Sequence, residues 1–244
     1  MKPLTEPPFA DGSILAVRTV SGVFLDYALS QLPAAPARVL EVGCGAEGGL
    51  TPALADAGYD VLGIDPDAPD GPLFRRVTLE GLDDPGPLDA VVAGRVLHHV
   101  EPLGPALDKL ARLAPILVVD EFACDRIDRA AREWHRREYK ALVTAGASPG
   151  GPEDLDVWGG AHAGLHPYGL LRAELDRRYE EREFHWRPYL YRWLVSRETK
   201  EREEEAIATG GIQPIGFRYT GVSRAALSAD RSEEPNTRRL RVAT

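Results

Sequence analysis

A glycine turn set between two strands constrains this 244-residue sequence more than any other feature. Arg38-Val-Leu-Glu-Val42 reads as a short buried strand, and Gly43-Cys44-Gly45-Ala46-Glu47-Gly48 follows it at once. A helix is predicted over residues 49–57, ended by Gly58, and a second strand over residues 60–64. Asp65 closes that strand about 20 residues beyond Gly45, where a carboxylate can accept both hydrogen bonds of a ribose diol. Glycines at this spacing let the backbone turn tightly and bring bare amides and a helix start against a ligand. A G-x-G-x-x-G in isolation is weak evidence. In its strand–turn–helix–strand–acid context it points to a nucleoside-type cofactor.

The strand–helix rhythm continues along the chain. An amphipathic helix is predicted over residues 14–32, with Val17, Val20, Phe24 and Tyr27 at three- and four-residue spacing, stopped by Pro33 and Pro36. Further strands are predicted over residues 75–79, 89–93 and 116–119, and a helix over 103–113. Such alternation indicates a parallel sheet with helices on both faces, an α/β fold. After Phe122 the texture changes. A charged helix is expected over 124–142, a Gly- and Pro-rich loop over 146–164, and a helix over 168–179. An aromatic strand is expected over 183–194, shifted in phase at Pro188, then a helix N-capped by Ser196 and closed by Gly210-Gly211, and a last strand over 212–222. The expected organisation is an N-terminal arm and helix over 1–36, one domain over 37–224 with a lid at about 124–180, and a flexible tail over 225–244.

The bulk numbers exclude several classes. A net charge of −9 disfavours nucleic acid as a partner. No apolar run approaches the roughly 20 residues that span a bilayer, so no membrane association is expected. Cys44 and Cys124 are the only cysteines, and with no apolar signal core over residues 1–10 they point to a reducing, cytoplasmic setting.

Three segments together resemble the class I S-adenosylmethionine-dependent methyltransferases, over about residues 39–122. Val39-Leu-Glu-Val-Gly-Cys-Gly45 resembles their first motif, Ile64-Asp65-Pro66 their second, and Asp89-Ala-Val-Val-Ala-Gly-Arg-Val-Leu-His-His-Val100 the fourth-strand motif of the small-molecule branch. The resemblance implies a Rossmann-like, doubly wound, seven-stranded and mostly parallel sheet, its last strand antiparallel, with the lid inserted after the fifth strand. It implies S-adenosylmethionine as cofactor, S-adenosylhomocysteine as product and a small-molecule methyl acceptor as partner. It also implies contacts from Glu41 near the cofactor's amino group, from Gly43, Cys44, Gly45 and Gly48, from Asp65 and Pro66 at the ribose, and from Gly94 and Arg95. Glu80 is the nearest acid for the adenine amine. A carboxylate at Glu41 suits an ammonium and a sulfonium, whereas it would repel a pyrophosphate. That argues against a nicotinamide cofactor, as does the lack of a Tyr-x-x-x-Lys pair. The family's Pro-Gly-Gly turn before the fifth strand is replaced by Leu113-Ala-Pro115.

An oxygen or nitrogen acceptor must lose a proton, and histidines are the natural bases. His98 and His99 follow the fourth strand; His99 reads as packing, and His98 stands between shaping the pocket and structure alone. Glu121, at the end of the fifth strand, either orients an acceptor or pairs with an arginine of the 126–137 helix, and the pairing is the preferred reading. His162 and His166 lie in or beside the Gly-rich segment, near Trp158 and Tyr168, and are better base candidates than a buried histidine, or else solvated bystanders. Tyr189 or Tyr191 is placed to line the acceptor site. No metal site is expected, because Gly94 and Arg95 stand where magnesium-dependent relatives carry carboxylates. A module that binds the cofactor without transferring a methyl group is the alternative.

Overall fold

The computed structural model describes the backbone of residues 14–233 and the side chains of residues 23–228. The expected arm over 1–13, the side chains of Val17 and Val20, and the end of the expected tail over 234–244 lie outside the described residues.

Seven strands form one sheet: β1 (Arg38–Val42), β2 (Asp60–Asp65), β3 (Phe74–Arg76), β4 (Ala90–Gly94), β5 (Ile116–Phe122), β6 (Tyr179–Arg187) and β7 (Gly216–Ser223). Their order is β3-β2-β1-β4-β5-β7-β6. All pairings through β5 are parallel, and β7 runs antiparallel to both β5 and β6. The order reverses between β1 and β4, the switch point at which open α/β sheets open a crevice at the carboxyl ends of their strands.

The period-two alternation of the buried strands sorts their residues onto two faces. Val39, Val61, Ala90, Val92 and Val118 meet Phe24, Tyr27 and Ala28 of α1 (Ile14–Gln31) and Leu54 of α2 (Thr51–Asp56). Leu40, Val42, Val91, Ala93 and Val119 face the other way, against Leu107 and Leu110 of α3 (Leu103–Leu113) and Leu171 and Leu175 of α6 (Tyr168–Arg178). Each such fully buried aliphatic side chain contributes about 1.5–3 kcal/mol, so both faces are held.

Between β5 and β6 the chain forms α4 (Arg129–Thr144), α5 (Leu155–Ala161) and α6. The helix α5 lies inside the segment expected to be loop. Asp154 caps it by accepting from the Asp156 amide at 2.8 Å, and Leu155 is buried beneath it. The aromatic strand is also displaced. β6 starts at Tyr179 and ends at Arg187, since Pro188 has no amide to donate to a ladder. Tyr191 and Trp193 therefore sit on a single helical turn, α7 (Tyr191–Leu194), and not on the strand. α8 (Arg197–Ala208) follows, with the Ser196 hydroxyl accepting from the Thr199 amide and Gly210 closing it at φ 74°. The last strand begins at Gly216, because Ile212 and Ile215 turn into a third cluster beneath α4 and α7. Where the tail was expected, the chain continues as α9 (Arg224–Glu233), packed on α3 and β7.

Candidate active site

The carboxyl end of β1 turns through four glycines with positive φ: Gly43 at 81°, Gly45 at 63°, Gly48 at 82° and Gly49 at 56°. The Gly43 amide donates to the Ile64 carbonyl at 2.9 Å, which pins the turn to β2. A Cβ at Gly43 would lie 2.6 Å from Val96 Cβ, so the approach of the turn to the segment after β4 requires glycine there. At Gly45 a Cβ would meet nothing within 4 Å, and the turn presents bare backbone on that side.

Glu41 is buried under this turn. Its carboxylate accepts from the Leu50 amide at 2.8 Å and the Thr51 hydroxyl at 2.7 Å, tying β1 to the start of α2. Burial pushes its pKa up, opposed by those hydrogen bonds. The neighbouring Cys44 thiol is pushed by burial, then by the Glu41 charge, to about 12, which makes it a poor nucleophile at neutral pH.

A shallow, solvent-open cleft lies at this switch point. One wall is Glu41, Gly43, Cys44, Gly49 and Leu50, another is Gly94 and Arg95, and Phe24, Asp120 and Arg192 complete it. Of the residues expected to contact a cofactor, the cleft brings together Glu41, Gly43, Cys44, Gly94 and Arg95. Arg95 is held at φ 55° with its amide donating to the Asp120 carbonyl at 2.7 Å. Asp65 ends β2 on the same sheet edge, half-buried, with one carboxylate oxygen accepting from the Asp67 amide at 2.8 Å. Pro66 beside it is exposed. Gly48 turns away toward the Phe74 ring. Glu80 is exposed and outside the cleft walls; its backbone carbonyl, with those of Leu79 and Leu82, accepts from Lys109 Nζ.

His98 and Glu121 are brought together. His98 Nδ1 lies 2.7 Å from Glu121 Oε2, and both side chains are buried. Glu121 also accepts from the amides of Leu97 at 2.7 Å and Phe122 at 3.2 Å. An arginine partner from α4, the preferred reading of the sequence, is thus corrected: it is Asp120 that takes arginines. Arg192 Nη2 lies 2.8 Å from Asp120 Oδ2, and Arg218 Nε donates to Oδ1 at 3.1 Å. The alternation of β5 explains the exchange, since consecutive residues point to opposite faces.

The loop histidines are anchored. His162 stacks on Trp158 at 4.4 Å, with Nδ1 2.8 Å from the Trp158 carbonyl. His166 Nε2 donates to the Val100 carbonyl at 2.8 Å, and its amide donates to the His98 carbonyl at 3.1 Å. It fastens the α5–α6 connection to the turn that carries His98. Tyr189 stacks on Phe122 at 4.5 Å, and Phe122 meets His98 edge-on at 4.8 Å. Among the described residues, no group of three or more His, Cys, Asp or Glu is placed to hold a metal ion.

Arg192 is the residue that sequence reasoning missed. It lies on a turn that looked like strand, one arginine among many, and no local pattern sets it apart.

The fold and the cleft define a nucleoside-binding α/β enzyme of the Rossmann-like kind. A methyltransferase-domain family model matches residues 22–145, just over half of the chain. The chain belongs to that family, and it is a class I S-adenosylmethionine-dependent methyltransferase. Among solved structures it is similar to a protein of Anabaena variabilis assigned as a methyltransferase of an antibiotic biosynthesis pathway. That likeness has TM-score 0.54 and 15% identity, covering 85% of this chain and 99% of the other. It is also similar to an S-adenosylmethionine-dependent methyltransferase from Mesorhizobium loti, with TM-score 0.50, 17% identity, and 88% and 99% covered. These are likenesses of fold. No curated protein matches the chain in sequence.

Proposed function

We propose that the chain transfers the methyl group of S-adenosylmethionine to an oxygen or nitrogen atom of a small molecule, with His98 as the base. The observation that carries this reading is the buried His98–Glu121 pair on the same sheet edge as the glycine-walled cleft. When bound, the donor supplies an electrophilic methyl carbon on sulfur. The glycine turn leaves room for the donor's backbone-close approach, and Asp65 takes the ribose hydroxyls through its free lone pairs. Glu41, Gly43, Cys44, Gly94 and Arg95 line the rest, and Gly45, Gly48 and Pro66 belong to the turns that flank it. Glu80, exposed and tied to α3 through its carbonyl, is the weakest member of the set.

Glu121 holds two backbone amides, and a carboxylate so held takes the third hydrogen bond from His98 Nδ1–H. That fixes the tautomer with Nε2 as the free lone pair. The contact to Glu121 is made by Nδ1, at 2.7 Å. It accepts the acceptor's proton as the methyl group moves, leaving a neutral methylated product and an imidazolium stabilised by Glu121. A free base of this kind favours transfer over a binding-only module. His162 and His166, bound to carbonyls, act as anchors of the lid over the site and not as bases. The acid-poor end of β4 suits a metal-independent reaction. The acidic surface suits a small acceptor and not nucleic acid, and the two unpaired cysteines suit the cytoplasm.

Asp65→Ala tests the site. Loss of hydrogen bonds from a charged acceptor, each about 1.5–3 kcal/mol, is expected to weaken S-adenosylhomocysteine binding at least about tenfold. Unchanged affinity in a folded variant would remove Asp65 and the cleft from the reading.

A further inference from the structure

Two guanidinium groups share one carboxylate at the floor of the cleft. Asp120 gives Oδ2 to Arg192 and Oδ1 to Arg218, and all three side chains are at most 8% exposed. Arginine does not deprotonate in a protein, so the trio carries a buried surplus of one positive charge. A buried ion without a counter-charge is costly, and sites that tolerate one generally receive a ligand of the opposite sign. The two arginines differ in what they face. Arg218 lies over Tyr27 and Phe24, on the α1 face of the sheet, at 5.1 and 6.0 Å from the ring centroids. Arg192 lines the cleft, and its Nε is buried with no hydrogen-bond partner among the described residues. The same cleft holds the Glu41 carboxylate on its glycine wall. A carboxylate on one wall and an unsatisfied guanidinium on another match an α-amino acid, which offers an ammonium and a carboxylate on one carbon.

We propose that Arg192 is the carboxylate anchor of this enzyme, gripping the amino-acid end of the methyl donor. The inference rests on the proposed placement of S-adenosylmethionine in the cleft and adds a residue that neither the motifs nor the turn chemistry indicates. Arg192 sits on α7, and Glu203 of α8 fixes the chain just before it by accepting the amides of Tyr189, Leu190 and Tyr191 at 2.7, 3.0 and 2.8 Å. The guanidinium is therefore held in position before any ligand arrives, which lowers the ordering cost of binding. A carboxylate borne by the methyl acceptor is the other source of the same chemistry, and the test separates the two.

The experiment is calorimetry of S-adenosylhomocysteine and of its methyl ester, which keeps the ammonium and removes the negative charge. The wild-type chain is expected to bind the free acid at least tenfold more tightly than the ester. In Arg192→Met the acid should fall to the ester's affinity while the ester is unchanged, and Arg192→Lys, which keeps the charge without the fork, should recover part of the difference. Equal affinity of acid and ester in the wild type would overturn the proposal and leave Arg192 to an acid-bearing acceptor. That comparison needs no variant to fold. If neither compound bound, the placement of the donor itself would fail, an outcome distinct from equal binding.

Discussion

His98 illustrates how one side chain acquires a direction. Glu121 lies under the turn after β4 with two of its lone pairs committed to backbone amides, and the third contact orients the imidazole. The account predicts that 15N NMR of the histidine rings finds the neutral form of His98 carrying its proton on Nδ1; the opposite tautomer would rule it out as the base. With an acceptor in hand, His98→Gln should lower kcat by about 100- to 10,000-fold, the usual worth of a positioned base, and leave S-adenosylhomocysteine affinity unchanged. Much of the cofactor side of the site was legible at this scale. The glycines and Asp65 act through backbone conformation and position at a strand end, which a short motif records. The pairing of Glu121 was not legible, because it depends on which of two adjacent carboxylates on β5 points to which face. Arg192 was hidden for a similar reason, since it sits on a helical turn and its partner Asp120 lies 72 positions away on β5.

At the scale of elements, Pro188 decides the most. By ending β6 it releases residues 189–195 to form the turn of α7, and Glu203 then serves as the acceptor for three amides that no helix or strand satisfies. Burial raises the Glu203 carboxyl to about 7, against the pull of those amides. Glu203→Gln halves the acceptor capacity in a buried place. It is expected to cost about 1–3 kcal/mol in urea unfolding at pH 8, the usual penalty for an unpaired buried amide. A cost within error of zero would mean that the turn is held by its aromatic packing alone. The strand–helix alternation from β1 to β5 was readable because buried parallel strands are continuous apolar runs. The aromatic segment was misread because alternation at 184, 186, 189, 191 and 193 persists across Pro188 on two different kinds of backbone. α5 was missed because its seven residues lie between glycines and prolines, and its Asp154 cap is visible only once Leu155 is known to be buried.

At the scale of the whole molecule, the acid limb of stability carries a signature. His135 of α4 is buried with both ring nitrogens unpartnered among the described residues, packed beside Trp193 and Tyr139. Burial, then the charge of Arg136, lowers its pKa from 6.5 to about 4, opposed by Asp154. The folded pKa lies below the unfolded one, so between pH 6.5 and 4 the unfolded chain binds a proton that the folded chain refuses. Its stability effect is absent above that window and grows as pH falls through it, reaching about 3 kcal/mol. Glu203, whose pKa is raised, has the opposite slope between 4.5 and 7, so the total curve mixes the two. Comparing wild type with His135→Phe isolates the histidine. The variant should gain on the wild type steadily from pH 7 to pH 4.5 in urea midpoints, and a constant difference would show that the ring is solvated. The seven-stranded order agrees with what the motifs imply, because they fix β1, β2 and β4 and the switch point follows from their sequence.

The central claim is that this cleft binds the methyl donor and its product, and calorimetric titration of the purified chain tests it most directly. S-adenosylmethionine and S-adenosylhomocysteine should both bind with micromolar or better affinity, about −8 kcal/mol, and NADH should not bind, because Glu41 opposes a pyrophosphate at the glycine turn. Binding of NADH in place of the two sulfur nucleosides, or of none of the three, would contradict the account.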